Sequence, residues 1–232
     1  MEKERKNALE MGKEKKKEDK KSTEEESRQA LMLMLVVGID LAGSAKRPTG
    51  FCEMSASMTC KTSVLYSDSE IEEAVIKAKP RVVSIDAPLS LPAGRKSIEQ
   101  PGPHFRKCDL ELRKLHIRFF PITLGPMRML TRRGIALKKR LERKGFVVIE
   151  SFPGGAQDIL GMPRKQKGIG ALRKSLVKYG LKGLRNNATG DELDAATCAI
   201  VGLDYISKNY MQLGDPEEGV MIMPKPRHMT FP

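Results

Sequence analysis

The sequence predicts an α/β protein: a mixed five-stranded sheet that begins with an antiparallel three-strand meander and carries flanking helices. Three observations point there. Short apolar segments at residues 35–41, 49–55 and 62–66 follow one another through brief links, the pattern of a meander. A helix-spaced segment then separates the third from a fourth apolar run at 81–86, the strand–helix–strand order of a right-handed crossover and a parallel pair. Three of the apolar runs, finally, close on an acid: Asp40, Asp86 and Glu150.

The first strand, read at 35–41, is apolar or Gly until Asp40, as expected of a buried strand rather than one with a wet face. Gly43 to Pro48 is a turn-rich link to the second strand. After the third strand Asp68 reads as the cap of a helix with Ile71, Ala74, Val75 and Ala78 on one face, and Pro80 ends it. The fourth strand runs over 81–86 and is broken by Ala87-Pro-Leu-Ser-Leu-Pro92. Residues 93–132 read as an irregular basic insertion holding Arg106, Lys107, Arg113, Lys114, Arg118, Arg128 and Arg132, with Phe105, Phe119 and Phe120 among them. The arginines suit a phosphate backbone; the phenylalanines read first as anchors to the core, and otherwise as stacking surfaces. A helix at 135–144 stopped by Gly145 leads to a fifth strand at 146–150. Basic helical segments follow at 156–161 and 165–184, then a helix rich in small residues at 191–203 and a short last strand at 219–224.

Residues 1–30 are low-complexity, with ten Lys/Arg against nine Asp/Glu, and read as a disordered tail or a solitary charged helix ahead of one domain over 31–232. The formal charge of +13 therefore belongs almost wholly to the folded part and suits a polyanionic partner, nucleic acid above all. No apolar run approaches the roughly 20 residues of a membrane span. No signal-peptide pattern follows the charged start. Cys52, Cys60, Cys108 and Cys198 show no metal-ligand spacing, which fits a reducing, cytoplasmic setting.

The acids carry the chemistry. Parallel strands deliver their C-terminal ends to one sheet edge, so Asp40, Asp86 and Glu150 converge if their strands are neighbours. Asp191 and Asp194, three apart in the first turn of the last long helix, share a face and join them. Gathered carboxylates repel one another and raise their own pKa values. A hard divalent ion relieves that, and two such ions about 3.5–4 Å apart can activate water and stabilise the leaving oxygen of a phosphodiester. Each acid also has a structural alternative: Asp40 capping the turn before Gly43, Asp86 fixing the bend at Ala87-Pro88, Glu150 pairing an arginine of the insertion, Asp191 capping its helix.

The order of meander, helix, two strands and closing acidic helix resembles the ribonuclease H-like fold. More narrowly, Gly38-Ile-Asp-Leu-Ala-Gly43, Arg47-Pro-Thr-Gly-Phe51, Ser84-Ile-Asp-Ala-Pro-Leu89, Arg106-x-Cys-Asp-x-x-Leu-Arg113, Glu150-Ser-Phe-Pro153 and Gly190-Asp-Glu-Leu-Asp-Ala195 resemble the DUF429 family of predicted nucleases over about residues 34–226. Asp191-x-x-Asp194-Ala195 is similar to the last-helix acids of RuvC-type resolvases. The resemblance implies a metal-dependent nuclease using Mg²⁺ or Mn²⁺ on DNA or RNA, with Asp40 as first-strand ligand, Asp86 in place of the more usual Glu, and Asp194 closing the set. Glu150 and Asp191 complete the shell, and Arg47, Arg106 or Arg113 holds the scissile phosphate. A homodimer is compatible with that class. Two other classes stay open: a non-catalytic nucleic-acid-binding protein, and a small phosphotransferase, since Asp40-Leu-Ala-Gly-Ser44 also resembles a kinase phosphate loop. His104 and His116 are proton-transfer candidates only if they reach the site.

Overall fold

The computed structural model describes residues 34–226; the predicted tail lies outside the described residues. The sheet has seven strands rather than five, in the order β3-β2-β1-β4-β5-β7-β6. The meander is as expected: β1 (Leu35–Asp40) pairs antiparallel with β2 (Thr49–Ser55), which pairs antiparallel with β3 (Cys60–Leu65). After helix α1 (Asp68–Ala78), β4 (Val82–Asp86) returns parallel to β1, and β5 (Val148–Ser151) lies parallel to β4. The two additional strands form an edge hairpin: β6 (Tyr210–Asp215) had no expectation behind it, and β7 (Gly219–Pro224) docks parallel to β5.

The helices depart from expectation at their ends. Ser67, not Asp68, caps α1: its Oγ accepts from Glu70 N and Glu70 reaches back to Ser67 N, a capping box. Asp68 is thereby free to bind Arg133 (2.7 Å) and Arg140 (2.7 Å) on the neighbouring helix. The 93–132 insertion is not irregular throughout. It holds α2 (Lys107–Lys114) and the start of α3 (Gly125–Arg143), the long helix of which only the second half was legible. Helix α4 (Pro153–Ile159) follows β5 directly, a 3₁₀ turn covers Lys165–Lys167, and α5 (Ile169–Tyr179) and α6 (Gly190–Ile206) complete the chain's helices among the described residues.

Strand alternation sorts the core into two layers. Val36, Cys52, Met54 and Val82 face α5 and α6, through Leu172, Leu176, Ala195, Ala199 and Ile200. Val37, Ile39, Phe51, Val83 and Ile85 face α1 and α3, through Ile71, Val75, Leu137 and Leu141. The α6 side is unusually close. A Cβ on Gly38 would overlap Ala195 O and Ala199 N, and one on Gly50 would overlap Asp191 O. Two glycines facing a stripe of small helical residues let the α6 backbone rest on β1 and β2, and that contact sets the height of its first-turn acids above the sheet.

Candidate active site

Asp40 and Asp86 are the last residues of β1 and β4 and are paired directly across the parallel ladder. Residues in register on neighbouring strands share a face, so both carboxylates emerge on the α6 side. Thr189 caps α6 with Glu192 in a second capping box, which disposes of the capping alternative for Asp191. Asp191 and Asp194 then project from the first turns of α6 onto the ends of β1 and β4. Asp40, Asp86, Asp191 and Asp194 are thus brought from three elements to one end of the sheet.

The cation among them is Lys165, one base among many in the 165–184 stretch, with no local pattern to mark it. Its Nζ lies 2.9 Å from Asp40 Oδ2, 2.8 Å from Asp191 Oδ1 and 2.9 Å from Asp194 Oδ2. Gln157 on α4 is equally unmarked. It is buried, and its Nε2 donates to Asp194 Oδ1 (2.7 Å) and to Thr197 Oγ1 (3.1 Å), fixing the orientation of the Asp194 carboxylate. No spacing rule links either residue to the acids; only the fold brings them together. The Asp86 carboxylate receives no hydrogen bond from any described residue.

The electrostatics are those of a crowd of anions with too little positive charge. Burial, with Asp194 adding repulsion against the attraction of Lys165, pushes Asp40 up to about 7. Burial and the charges of Asp40 and Asp194 raise Asp86 well above the carboxylate range. Burial works against the Lys165 ammonium, but Asp40 and Asp194 outweigh it and raise its pKa. As the side chains stand, no group of three His, Cys, Asp or Glu among the described residues is spaced to chelate an ion. The oxygens of Asp40, Asp191 and Asp194 instead surround an ammonium. Chemically the donor set fits a hard divalent cation all the same: every ligand atom is a carboxylate oxygen, the Asp86 carboxylate lacks a donor, and the raised pKa values of Asp40 and Asp86 mark negative charge that a doubly charged ion would relieve.

Glu150 does not join the cluster. It is in register with Ile85, one residue short of Asp86, so the pleat directs it to the other face. There its Oε2 accepts from Arg106 (2.7 Å) and from Leu89 N (2.7 Å), while Oε1 is buried without a partner. This is the alternative in which Glu150 pairs an arginine of the insertion. It also corrects the expectation for Arg106, which lines the cleft beside the acids but is 2% exposed, its guanidinium taken up by Glu150 and Asp109 rather than free for a phosphate. Arg47 is exposed in the β1–β2 link, and Arg113 is exposed on α2 with its guanidinium carbon 5.4 Å from the Phe105 ring centroid. His104 is bonded to Thr123 Oγ1 (2.7 Å).

A cleft of ≈ 1140 Å³ opens beside the acids, with Asp86, Asp194, Glu150 and Lys165 on its wall and His116 among the residues lining it. All four cysteines are free and buried. No helix among the described residues is long and apolar enough to cross a membrane.

No family model matches this chain, so the resemblance to the DUF429 family finds no support there, and no curated protein matches it in sequence. Among solved structures the chain is similar to RuvC of Thermus thermophilus in complex with Holliday junction substrate. The identity is 16%, with 75% of this chain and 96% of that one covered and a TM-score of 0.41. A second structure of Thermus thermophilus RuvC aligns at 13% identity over 75% and 97%, again with a TM-score of 0.41. Likeness at that level leaves the functional reading to rest on the geometry of the acids themselves. That geometry defines an α/β protein with a carboxylate-rich pocket at the C-terminal ends of parallel strands.

Proposed function

We propose that this chain is a divalent-metal-dependent hydrolase of nucleic-acid phosphodiester bonds. The observation that carries the reading is the convergence of Asp40, Asp86, Asp191 and Asp194 around a single lysine, in a chain of formal charge +13. Positive surface draws a polyanion while the pocket beneath it stays acidic. That combination suits a cation-assisted reaction on a phosphate better than it suits binding alone.

Asp40, Asp86 and Asp194 would hold Mg²⁺ or Mn²⁺, with Asp191, more exposed than Asp40 or Asp194, at the rim. When bound, such an ion supplies a water of lowered pKa and stabilises charge on the leaving oxygen. The chain's own residues do the rest. Gln157 keeps one Asp194 oxygen turned away, so the other faces the pocket. Lys165 has the reach and charge to move from the acids to a substrate phosphate once they are otherwise neutralised. Arg113 and Arg47, both exposed, offer charge to the flanking backbone. Glu150 stays outside the ion-holding set.

The test is cleavage of a panel of branched, hybrid and single-stranded DNA and RNA with Mg²⁺ or Mn²⁺, comparing the parent chain with Asp40→Asn. Cleavage by the parent that falls at least 100-fold in the variant supports the reading; this is the order lost when a transition-state charge contact is removed. A parent that cuts none of the panel with either metal defeats it.

A further inference from the structure

The cleft beside the acids has a wall that hydrolysis alone does not require. Besides the carboxylates its lining is aromatic and cationic. Phe105 and Phe119 meet edge to face, with centroids 6.1 Å apart and an interplanar angle of 85°. Arg113 covers the Phe105 ring at 5.4 Å, and Arg164 covers Phe152 at 5.4 Å. Phe120, also on this wall, is 68% exposed. Arg164 and Lys165 are consecutive, so one short segment faces the rings with one residue and the acids with the next.

A paired base hides its faces in the stack and shows a protein only its edges, together with a phosphate backbone. Phenyl rings and guanidinium planes complement base faces, which are reachable only on an unpaired nucleotide. The cleft is also large enough for a nucleoside and is continuous with the acids through Asp86 and Asp194. We propose that it seats an unpaired base of the strand whose phosphodiester lies at the acids, with Phe120 as the ring that stacks on it. The substrate is then single-stranded or splayed where it is cut. This rests on the hydrolase reading for the role of the acids, but its test does not depend on cleavage.

The chain contains no tryptophan, so Phe120→Trp introduces a lone indole, excited at wavelengths its four tyrosines do not absorb, at a surface position where parent-like folding is expected. With EDTA present to prevent cutting, a short oligothymidylate quenches that fluorescence saturably, and a blunt two-stranded duplex with the same number of phosphates at the same salt does not. By anisotropy, Phe120→Ala weakens oligothymidylate binding by roughly tenfold, the order of one base–aromatic stack, and leaves blunt-duplex binding unchanged. Equal quenching by both probes, or a Phe120→Ala variant that loses both affinities equally or neither, overturns the proposal. Cleavage is scored separately with Mn²⁺. A chain that quenches but cuts nothing keeps the cleft and loses the hydrolase, and one that cuts continuous duplex without any quench keeps the hydrolase and loses the cleft.

Discussion

Asp40 and Asp86 stand opposite one another at the ends of adjacent parallel strands, and the charge of Asp40 raises the cost of ionising Asp86. Asp40, raised from 3.8 to about 7, contributes stability that is complete below about 3.8 and is lost as pH climbs through about 7; Asp86 acts in the same direction. Asp86 is the cleaner position to test, because its carboxylate has no donor to lose. Around it lie Asp40, Asp194, Glu150 and Lys165, so only one of its four charged neighbours is attractive. Asp86→Asn is expected to stabilise the metal-free chain at pH 8 by roughly 1–2 kcal/mol, about 2–8 °C in Tm for a chain of this size. The gain shrinks towards pH 5, where protonated Asp86 is as neutral as Asn. Melts in EDTA at the two pH values decide it: an equal shift at both means the acids are not crowded.

Lys165 is the counterion in this arrangement, and removing it exposes what the acids lack. Lys165→Met leaves Asp40, Asp191 and Asp194 facing one another with their shared partner gone. Because Lys165 is partly exposed, the loss in EDTA should be about 1–2 kcal/mol rather than the ~3–5 kcal/mol of a fully buried pair. Millimolar Mg²⁺ should then raise the variant's Tm by more than it raises the parent's, since binding to the folded state alone stabilises by mass action and the variant has no internal competitor. Identical Mg²⁺-induced shifts would show that the ammonium and the divalent ion do not share a place.

How far this site could be read from the sequence depends on the kind of information each residue needed. Asp40 and Asp86 were legible because an apolar run ending in an acid is a local pattern. Asp191 and Asp194 were legible because their spacing puts them on one helical face. Glu150 shows the same local pattern as Asp40 and was placed with it, yet its role turns on register. Pairing with Ile85, one residue short of Asp86, sends it to the other face, and register depends on partners far away in sequence. Lys165 and Gln157 belong to no motif at all. In the fold the same division holds. The meander and crossover were read from periodicity, whereas β6 was missed because Tyr210–Asp215 alternates weakly and becomes a strand only against β7. The cap of α1 slipped by one residue because Ser67 and Asp68 are both good caps, and only the arginines of α3 give Asp68 other work.

Gly38 is where the position of the acids is most exposed to a single substitution. A methyl group there has backbone on the other side, Ala195 O and Ala199 N, and no flexible side chain to push aside. Gly38→Ala must lift α6 off the sheet, carrying Asp194 away from Asp40. A loss of about 3 kcal/mol or more is expected, the upper range for an overpacked core. Gly170, in α5, meets nothing within 4 Å, and Gly170→Ala should be neutral or stabilising by up to about 1 kcal/mol. Denaturant midpoints of the two variants make the comparison; a Gly38→Ala chain as stable as its Gly170→Ala counterpart would mean that α6 does not depend on this contact.

Arg106 provides the last test, because it joins the insertion to β5 through charge that water barely reaches. Burial opposes its ionisation, and Glu150 and Asp109 more than restore it. Truncating one partner of such a network leaves the others charged and unpaired, so Arg106→Met should cost about 3–5 kcal/mol. The excess over simple loss of contacts comes from the stranded acids, and it identifies itself by rescue. Adding Glu150→Gln to Arg106→Met removes one stranded charge, and the double variant should be more stable than Arg106→Met alone by about 1–2 kcal/mol. In the parent background Glu150→Gln should instead destabilise, since Arg106 then loses an ionised partner. If Glu150→Gln has the same sign and size in both backgrounds, the two residues are uncoupled, and Arg106 would again be available to a phosphate.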